Sequence, residues 1–351
     1  MKVAIVNYYQ NLNHRGGETF TQSLYQGLCV KHRVIIYSAK KINLPLPPKW
    51  SVLTVRHPLR YLFLDIPKLL ELVFTLRVLP QIFRQKPDIV IPLNSGWQAL
   101  ILSIYCHWFG AKLVIAGQSG PGWDDRWNLL VKPHLFIALT QHNLNWAKNA
   151  AVWDIPIVQI PNGVDLKLFS PKGSSQKLPL KGKIILCIAA ASLRKKIDLT
   201  IKAVAQLDQV SLLVLGDGEA SQQIDRLGMA LLGKEKYLRL SVTHDQVASY
   251  IRSSNIFTMV SEKFESFGIV LLEAMACGLS VVTRDDYSRR EIVGDGGIFV
   301  KNPENTPDYS QALSKALKKD WKNIPRLQAE KFSWGEITAQ YEQELNKLIK
   351  P

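Results

Sequence analysis

Short apolar runs separated by longer amphipathic stretches recur along the whole chain. The runs occupy residues 3–6, 34–37, 89–91, 113–116 and 135–139 in the first half, and residues 184–188, 212–215, 256–260 and 280–282 in the second half. Unbroken runs rich in β-branched residues, separated by helical stretches, are typical of parallel strands that helices cover on both faces. The pattern therefore predicts an α/β protein with two doubly wound, Rossmann-like units.

The boundary between the two units is predicted in a stretch that lacks apolar periodicity. Residues 170–182 are rich in Ser, Pro, Gly and Lys, a composition that is typical of linkers. The predicted organisation is a first domain over residues 1–170, a linker over 171–182, a second domain over 183–331 and a C-terminal helix over 332–351.

The terminal helix shows both a start and an apolar stripe. Ser333 and Glu336 have the spacing of a capping box. One face of the helix then carries Ile337, Tyr341, Leu345 and Leu348. Such a face needs a surface to cover, and we expect this helix to pack back on the first domain.

Composition and charge narrow the classes of function. The 351 residues are 47% hydrophobic and 21% charged, which excludes a disordered or fibrous chain. The chain holds 44 Lys+Arg against 29 Asp+Glu, a net charge of +15. This excess predicts an anionic partner and leaves nucleic acid, phospholipid and sugar nucleotide open. Residues 1–170 hold 18 Lys+Arg and 8 Asp+Glu, so the first domain is the more cationic one.

Cysteine usage and the N-terminus indicate a reducing compartment. The four cysteines are scattered without metal-ligand or paired spacing, which argues against a disulfide framework or a zinc site. The first apolar stretch is too short for a signal peptide. The longest stretch without charged residues, 89–111, is interrupted by Pro92 and several polar residues and is a poor membrane span. The predicted location is the cytoplasm.

The segment 261–278 holds the strongest candidate for chemistry. It follows a predicted strand, and its composition predicts a helix that begins at Ser266–Gly268 and ends near Gly278. Free N–H groups at a helix start bind anions such as phosphate. Glu265 precedes the helix and Glu273 lies about two turns inside it, roughly 12 Å along the axis. The alternative is an ordinary strand-to-helix turn with two surface acids.

The same segment resembles the E-x7-E signature of retaining glycosyltransferases of family 4, which have the GT-B fold. The resemblance extends through SFGIVLLEAMACGLSVV, residues 266–282. Shorter matches follow in the family's order at Gly16-Gly17, 160–165, 215–218 and 332–334. The resemblance implies two Rossmann-like domains that face a cleft, with a sugar-nucleotide donor held by the second domain and the acceptor by the first.

The resemblance also implies roles for individual residues of the second domain. Glu265 is expected near the donor sugar, Glu273 on the ribose hydroxyls, and the backbone of residues 266–269 on the diphosphate. The donor-binding residues implied there are Ser266, Phe267, Gly268 and Ile269.

A second basic element supports phosphate binding. Lys195 aligns with a lysine that in the family clamps the diphosphate, whereas Ala190 and Lys196 stand where the family has arginine and glycine. Arg194 is a candidate to supply the missing guanidinium, because a planar fork chelates phosphate oxygens. The alternative is a solvated basic helix start.

Candidates in the first domain are weaker. Gly16 and Gly17 end the loop after the first strand, where glycines allow a ligand close to the backbone, and the resemblance places the donor there. A loop over 117–127 carries Gln118, Asp124 and Asp125 among glycines and tryptophans, and suits an acceptor sugar. Gln118 stands near the place where many relatives have histidine, and cannot protonate. The alternatives are a solvated loop for residues 7–17 and loop packing by the tryptophans for residues 117–127.

The predicted activity is transfer of a sugar from a nucleoside-diphosphate sugar to a glycan or lipid-linked acceptor, with retained anomeric configuration, in polysaccharide or glycolipid synthesis. No metal or other cofactor is expected, because cations and a helix start neutralise the leaving diphosphate. Asp285-Asp286 and Asp217-Gly-Glu219 lack further ligands at evident spacing. The main alternative is a catalytically silent GT-B protein that binds a sugar nucleotide or glycan. An epimerase of similar architecture and a nucleic-acid-binding protein are more remote alternatives. No nucleic-acid recognition motif is evident in the sequence.

A basic stretch suggests a membrane surface as a further partner. Residues 40–86 hold 9 Lys+Arg and 2 Asp+Glu among aromatic and aliphatic residues. That composition is typical of a surface on anionic lipid, which adds peripheral contact with the inner face of the membrane as an expectation. The alternative is an amphipathic helix that packs on the sheet and turns a solvated basic face outward.

Overall fold

The chain divides into two units, each built on a parallel sheet. The computed structural model describes residues 1–12, 16–42, 44, 63–262 and 265–349. The first unit comprises Met1–Asn162 with Trp334–Pro351, and the second comprises Gly163–Ser333. Each unit contains a six-stranded sheet whose paired strands all run parallel. The prediction of two doubly wound α/β units is confirmed.

The first sheet has the strand order β2-β1-β3-β4-β5-β6. Its strands are β1 Lys2–Val6, β2 Arg33–Tyr37, β3 Ile89–Pro92, β4 Lys112–Ala116, β5 Leu135–Ala138 and β6 Ile157–Gln159. The helices that follow them are α1 Gly16–Leu28, α2 Ile66–Gln85, α3 Trp97–Phe109, α4 Trp123–Leu130 and α5 Gln141–Ala150. Separate apolar clusters cover the two faces of the sheet, one around Phe74 and Leu102 and the other around Phe20 and Ile337. Because both faces of the sheet are covered, successive residues of its strands are buried and need to be apolar.

The second sheet has the strand order β12-β11-β10-β7-β8-β9. Its strands are β7 Lys183–Ile188, β8 Val210–Leu215, β9 Tyr237–Leu240, β10 Ile256–Met259, β11 Val281–Arg284 and β12 Gly297–Val300. Its helices are α6 Ile197–Val204, α7 Ser221–Leu231, α8 His244–Arg252, α9 Ile269–Ala276, α10 Tyr287–Val293, α11 Thr306–Lys318 and α12 Ile324–Glu330. Since β8 and β10 leave β7 in opposite directions, the strand order reverses between β7 and β10.

The terminal helix, α13 Trp334–Ile349, packs on α1 in the first unit. Ile337, Tyr341 and Leu345 are fully buried there, in one cluster with Phe20 and Leu24. Gly27 of α1 lies so close to Thr338 that a Cβ would clash with it. The expectation that this helix returns to the first domain is confirmed, and so is its apolar stripe.

Three strands have no counterpart in the predicted set. These are β6, β9 and β12, and all three lie at sheet edges. An edge strand is covered less completely, and most residues of these strands are only partly buried. In β6 and β9 a polar or charged residue breaks the apolar run, whereas β12 has the short apolar run 298–300, which sequence reasoning missed.

The segment expected as a linker is tied to the second unit instead. The backbone N–H of Gln176 donates to Ser253 Oγ at 2.6 Å, and Arg252 Nε donates to the carbonyl of Ser174 at 2.7 Å. These bonds attach residues 174–176 to the end of α8. The division between the units falls after Asn162, ahead of the boundary expected at residue 170, because residues 163–170 also belong to the second unit.

Within the residues that the structure describes, no helix combines the length and the hydropathy needed to cross a bilayer.

Candidate active site

The candidate site lies where the strand order of the second sheet reverses. The loop after β7 and the loop after β10 leave neighbouring strands at this point. In open parallel sheets, ligands bind outside the carboxyl ends of the strands at such a reversal. The loops carry the two elements singled out from the sequence, residues 189–196 and residues 260–268. Lys263 and Phe264 lie outside the described residues.

Two glycines position the loop that follows β7. Gly216 has φ of +140°, and a Cβ on it would clash with the carbonyl oxygen of Ala189. A Cβ on Gly218 would lie 2.5 Å from the carbonyl oxygen of Ala191. Because only glycine permits this approach of backbone to backbone, the match at 215–218 fixes the path of the basic loop.

Lys195 and Glu265 form a close ion pair across the two loops. Lys195 Nζ donates to Glu265 Oε2 at 2.6 Å, and Ser261 Oγ donates to the same oxygen at 2.9 Å. The side chains retain 27% and 19% of their exposure, so a ligand can still reach both. Burial raises the pKa of Glu265, but Lys195, Ser261 and Arg289 outweigh it and the pKa lies below its ordinary value. Glu265 is therefore a carboxylate at neutral pH.

A buried arginine holds Ser261 in place, and sequence reasoning missed it. Arg289 is 1% exposed and donates from Nη2 to Ser261 Oγ at 2.6 Å and to the carbonyl of Glu262 at 3.2 Å. It also donates to Asp286, which caps the start of α10. A second buried arginine, Arg284, donates from Nε to the carbonyl of Ser261 at 3.0 Å. Both arginines position the loop that carries Glu265.

Arg194 lies beside the pair but turns toward solvent. Its side chain is largely exposed, and its Nε lies 3.4 Å from Glu262 Oε2. The backbone N–H of Glu262 donates to the carbonyl of Arg194 at 3.0 Å, which joins the two loops. Lys196 adopts a left-handed φ of 52°, a conformation that favours glycine. The sequence resemblance puts a glycine of the family at this position, and the left-handed conformation of Lys196 is one that glycine adopts without strain.

Helix α9 begins where the sequence predicted it. Gly268 precedes it with φ of 85°, and no side chain among the described residues caps its start. Phe267 is buried and packs against Phe332 at 6.3 Å between ring centroids. The helix ends at Ala276, and Gly278 adopts φ of 92°. The backbone at Gly268 and Ile269 thus presents the first amides of a helix next to Glu265.

Glu273 forms the second charged pair of the site, with a partner that sequence reasoning missed. Its side chain is 5% exposed, and Oε1 lies 2.8 Å from Nε2 of His244, at the start of α8. This hydrogen bond raises the pKa of His244 above its ordinary value and outweighs the effect of burial. The ring of His244 rests edge-on against Phe169. A histidine directly after a helix cap carries no distinctive spacing to Glu273, so the sequence offered no signal for the pair.

The glycines of the first unit lie inside a helix. Gly16 and Gly17 form the first turn of α1, where the backbone angles suit any residue. A Cβ on Gly17 would meet nothing within 4 Å. The space beside the start of α1 is therefore open at this position. His14 and Arg15 lie outside the described residues.

Gln118 pairs with the motif at 160–165. Its Nε2 donates to Asn162 Oδ1 at 3.2 Å, and Asn162 Nδ2 donates back to Gln118 Oε1 at 3.0 Å. Sequence reasoning did not predict this reciprocal amide pair. It ties the loop after β4 to the segment after β6.

The acids at 124 and 125 lie in a helix rather than in the expected loop. Helix α4 begins at Trp123, directly after Gly122, so the predicted loop over 117–127 is too long. Asp125 is 2% exposed and accepts from Asn128 Nδ2 at 3.0 Å, and burial raises its pKa to about 7. Asp124 accepts from Ser95 Oγ at 2.5 Å. The two neighbouring carboxyl groups therefore have different partners.

A buried polar cluster beside Asp124 is a further feature that sequence reasoning missed. Lys68 Nζ donates to Glu71 Oε2 at 3.0 Å and to Ser95 Oγ at 3.2 Å. Tyr9 donates its hydroxyl to Glu71 Oε1 at 3.1 Å. These residues come from the loop after β1, from α2 and from the loop after β3, which meet where the first sheet reverses its order.

No metal cluster accompanies these groups in the described ranges 1–12, 16–42, 44, 63–262 and 265–349: nowhere in them do three or more His, Cys, Asp or Glu side chains come together to hold an ion. Metal independence stays a prediction.

Comparison with known proteins first defines the fold class. Sucrose-phosphate synthase from Thermosynechococcus elongatus matches with a TM-score of 0.81 at 18% identity, over 99% of this chain and 98% of that one. Anabaena Alr3699/HepE, solved in complex with UDP and glucose, matches with a TM-score of 0.73 at 17% identity, over 99% of this chain and 100% of that one. The two sheets and their helices are those of the GT-B fold, as the resemblance implied.

A family match covers most of the second unit. Residues 172–331 match the family described as Glycosyl transferases group 1. The phosphatidyl-myo-inositol mannosyltransferase of Mycobacterium tuberculosis strain H37Rv is 32% identical over 181 residues, which cover 50% of this chain and 47% of that protein. Sulfoquinovosyl transferase SQD2 of Arabidopsis thaliana is 23% identical over 78% of this chain and 59% of that protein. The match spans about half the length of the first of these relatives.

Proposed function

We propose that this protein transfers a sugar from a nucleoside-diphosphate sugar to a glycan or lipid-linked acceptor, with retention of the anomeric configuration. The observation that carries the proposal is the 2.6 Å pair of Lys195 and Glu265 at the strand reversal of a group 1 glycosyltransferase domain. Sugar-diphosphate cleavage needs a cation for the leaving group and an anion near the sugar, and this pair supplies one of each.

The diphosphate is assigned to the start of α9. The amides of Gly268 and Ile269 point along a helix start, which favours an anion by about 0.3–1 kcal/mol and by up to about 2 kcal/mol when partly buried. Lys195 and Arg194 add two cations from the neighbouring loop. In the absence of donor, Glu265 neutralises Lys195; a bound phosphate competes for the same ammonium group.

The two carboxylates are assigned to opposite ends of the donor. Glu265 accepts hydrogen bonds from hydroxyls of the transferred sugar, and Glu273 accepts them from the ribose. Glu273 is held for this role by His244, since the pair leaves one carboxylate oxygen, Oε2, for the ligand. Ser266 and Phe267 complete the turn between them, and Gly16 and Gly17 stay the donor-binding candidates of the first unit.

In the proposed transfer step, the acceptor attacks the sugar on the face from which the diphosphate leaves. The bond between the anomeric carbon and the diphosphate oxygen breaks, and its electron pair leaves on the diphosphate. The acceptor oxygen bonds to the anomeric carbon from the same face, and its proton passes to the departing phosphate oxygen. Lys195, Arg194 and the helix start stabilise the growing negative charge, and the carboxylate of Glu265 stabilises the positive charge on the sugar.

The acceptor is assigned to the first unit. Gln118, in the loop between β4 and α4, and Asp124, in the first turn of α4, are the candidates to hold its hydroxyls. Asp125 is buried and positions this loop from beneath. A lipid-linked acceptor is favoured because the mannosyltransferase relative is named for a phosphatidylinositol and the first half of the chain is the more cationic.

A catalytically silent binding protein is the second candidate. The observation in its favour is the departure at Ala190 and Lys196 from the family's cation clamp. A silent protein binds the donor but forms no product, which separates it from the enzyme.

A thermal-shift panel of UDP-, GDP- and ADP-sugars tests the proposal. A donor at a hundred times its dissociation constant stabilises by about 2.7 kcal/mol, a rise of roughly 5 °C or more in the melting temperature. Mass spectrometry with the best donor and a lipid extract then reports the product. Binding without product in any acceptor mixture identifies the silent protein, and no shift with any donor contradicts both candidates.

Metal independence is part of the proposal, because the two cations and the helix start do the work of a metal. EDTA is expected to leave the transfer rate unchanged. A rate that falls with EDTA and returns with Mg²⁺ or Mn²⁺ contradicts this point alone.

A further inference from the structure

Helix α2 of the first unit is apolar on the face that it turns outward. Ile66, Leu69, Val73, Leu76 and Phe83 are each between 38% and 52% exposed. Their spacing follows one face of a helix, with exposed Pro80 completing the row. The face toward the sheet is buried through Phe74, Val78 and Ile82. A helix that is apolar on both faces is expected to be covered on both.

The exposed row continues onto the next helix. Phe83 packs against Phe109 of α3 at 4.8 Å between ring centroids. On α3, Ile104, Trp108 and Phe109 are 47%, 80% and 59% exposed. Single exposed apolar residues are ordinary, but a contiguous patch marks an interaction site. We call the exposed apolar residues of α2 and α3 together the apolar face.

The charges beside the apolar face all have one sign. Of residues 63–86, the two carboxylates, Asp65 and Glu71, are buried: Asp65 accepts from the backbone N–H of Lys68, and Glu71 pairs with its side chain. The charges that remain exposed are those of Arg77, Arg84 and Lys86. An amphipathic helix packed on the sheet was expected to turn a solvated basic face outward. The outer face of α2 instead carries a row of apolar side chains flanked by cations.

We propose that the apolar face docks on an anionic lipid bilayer, with Arg77 and Arg84 at the phosphate level and the aliphatic and aromatic side chains below it. This combination complements lipid on both counts, because apolar area and attraction to anionic headgroups add. Trp108 suits the interfacial depth, where indole rings concentrate. A second copy of the chain fits less well, since the same arginines would face each other. The proposal is independent of the proposed transfer.

Vesicle flotation without donor or acceptor tests it. The wild-type protein is expected to float with vesicles of phosphatidylcholine and phosphatidylglycerol, and less with phosphatidylcholine alone. Leu69→Ser with Leu76→Ser is expected to weaken binding more than about tenfold through lost apolar burial. Arg77→Glu with Arg84→Glu is expected to weaken it at least about thirtyfold, from about 1 kcal/mol per cation removed.

Matched controls lie on the second unit. Met229→Ser with Leu231→Ser changes two apolar residues of similar exposure on α7, and Lys315→Glu with Lys318→Glu changes the net charge by the same amount on α11. Both controls are expected to float like the wild type. The proposal that the apolar face docks on lipid is wrong if the control variants lose as much vesicle binding as the α2 variants. It is also wrong if the wild-type protein binds neither kind of vesicle.

Two further readouts keep the result decisive. If the Leu69→Ser, Leu76→Ser variant does not fold, as judged by a lost melting transition, a measurement on the wild-type protein replaces it. Brominated phosphatidylcholine in the vesicles is expected to quench the tryptophan fluorescence of the wild type, and Trp108→Phe is expected to remove most of this quenching. Light scattering on the lipid-free protein addresses the other occupant: a dimer that the α2 serine variant dissociates assigns the apolar face to self-association and overturns the proposal.

Discussion

Lys195 and Glu265 lie 70 positions apart in the chain, yet their side chains meet at 2.6 Å because β7 and β10 are neighbours in the sheet. Each charge restrains the other. The sequence named both residues, since each stands in a recognisable segment. The sequence did not single out Ser261, Arg284 or Arg289, which position the loop that carries Glu265. A buried arginine at the end of a strand or in a helix has no distinctive sequence spacing.

Replacing Glu265 separates donor binding from transfer. Glu265→Gln frees Lys195 and removes a negative charge near the diphosphate, so nucleoside diphosphates are expected to bind at least as tightly as to the wild type. Transfer is expected to fall about a hundredfold or more, since a charge that acts in the transition state is lost. Isothermal titration calorimetry and product analysis measure the two effects.

The control is an exposed pair of similar geometry. Lys181 and Glu235 lie 2.7 Å apart on the surface of the second unit, and Glu235→Gln is expected to change neither quantity. If Glu265→Gln weakens diphosphate binding and leaves transfer intact, the role given to Glu265 is wrong.

The pair of His244 and Glu273 predicts a pH dependence of stability. The folded state raises the pKa of His244, so the folded protein binds a proton that the unfolded chain releases. The contribution of the pair is therefore complete below the ordinary histidine pKa of about 6.5 and is lost as pH rises through the higher folded value. His244→Gln is expected to destabilise the second unit more at pH 5.5 than at pH 8.5.

Urea unfolding at the two pH values measures this, and an NMR titration of the ring reports the pKa directly. Glu273→Gln should remove the difference between the two pH values. Equal destabilisation by His244→Gln at both would mean that the pair carries no proton linkage.

Among the secondary-structure elements, the turn before α6 shows how backbone shape constrains the sequence. Lys196 takes the left-handed conformation of a glycine between the basic turn and α6. The central strands and the helix starts at 269 and 334 were predictable from apolar runs and from the resemblance. The edge strands β6, β9 and β12 and the exact division near residue 162 were not predicted, since they depend on which neighbouring segments each stretch packs against.

Lys196→Gly is expected to stabilise the second unit by about 0.5–1 kcal/mol, because it relieves a left-handed φ at a non-glycine residue. The weak ion pair of Lys196 with Glu262, 3.9 Å apart and exposed, offsets little of this. Urea unfolding measures the free energy of unfolding. The matched change Lys202→Gly, inside α6, is expected to lower that free energy by about 1 kcal/mol. A similar loss for Lys196→Gly would contradict the proposal that Lys196 is strained.

At the scale of the whole molecule, the first unit is assembled from both ends of the chain. Its core contains residues of α1 and of α13, although α13 follows the entire second unit. The terminal stripe was visible in the sequence, but the fate of the basic stretch 40–86 was not. Residues 43 and 45–62 of this stretch lie outside the described residues. The apolar outer face of α2 became evident only from the exposure of its side chains in the structure.

Tyr341→Ala tests the dependence of the first unit on α13. Tyr341 is fully buried against Phe20, and its truncation is expected to cost about 3–5 kcal/mol. Scanning calorimetry should show the transition of the first unit lowered, while a nucleoside diphosphate still stabilises the second. Tyr287→Ala, at a side chain that is 77% exposed, is the control and is expected to change stability by less than about 0.5 kcal/mol. Equal effects of the two changes would contradict the assignment.

The path of the chain has one more consequence, at the place where it enters and leaves the second unit. The backbone N–H of Val164 donates to the carbonyl of Phe332 at 2.8 Å, and a bridge joins Val164 to Ser333. The points where the chain enters and leaves the second unit therefore lie side by side. Exchanging residues 163–333 with those of a relative needs only two adjacent splice points, so a chimaera tests directly whether the proposed donor preference moves with this unit.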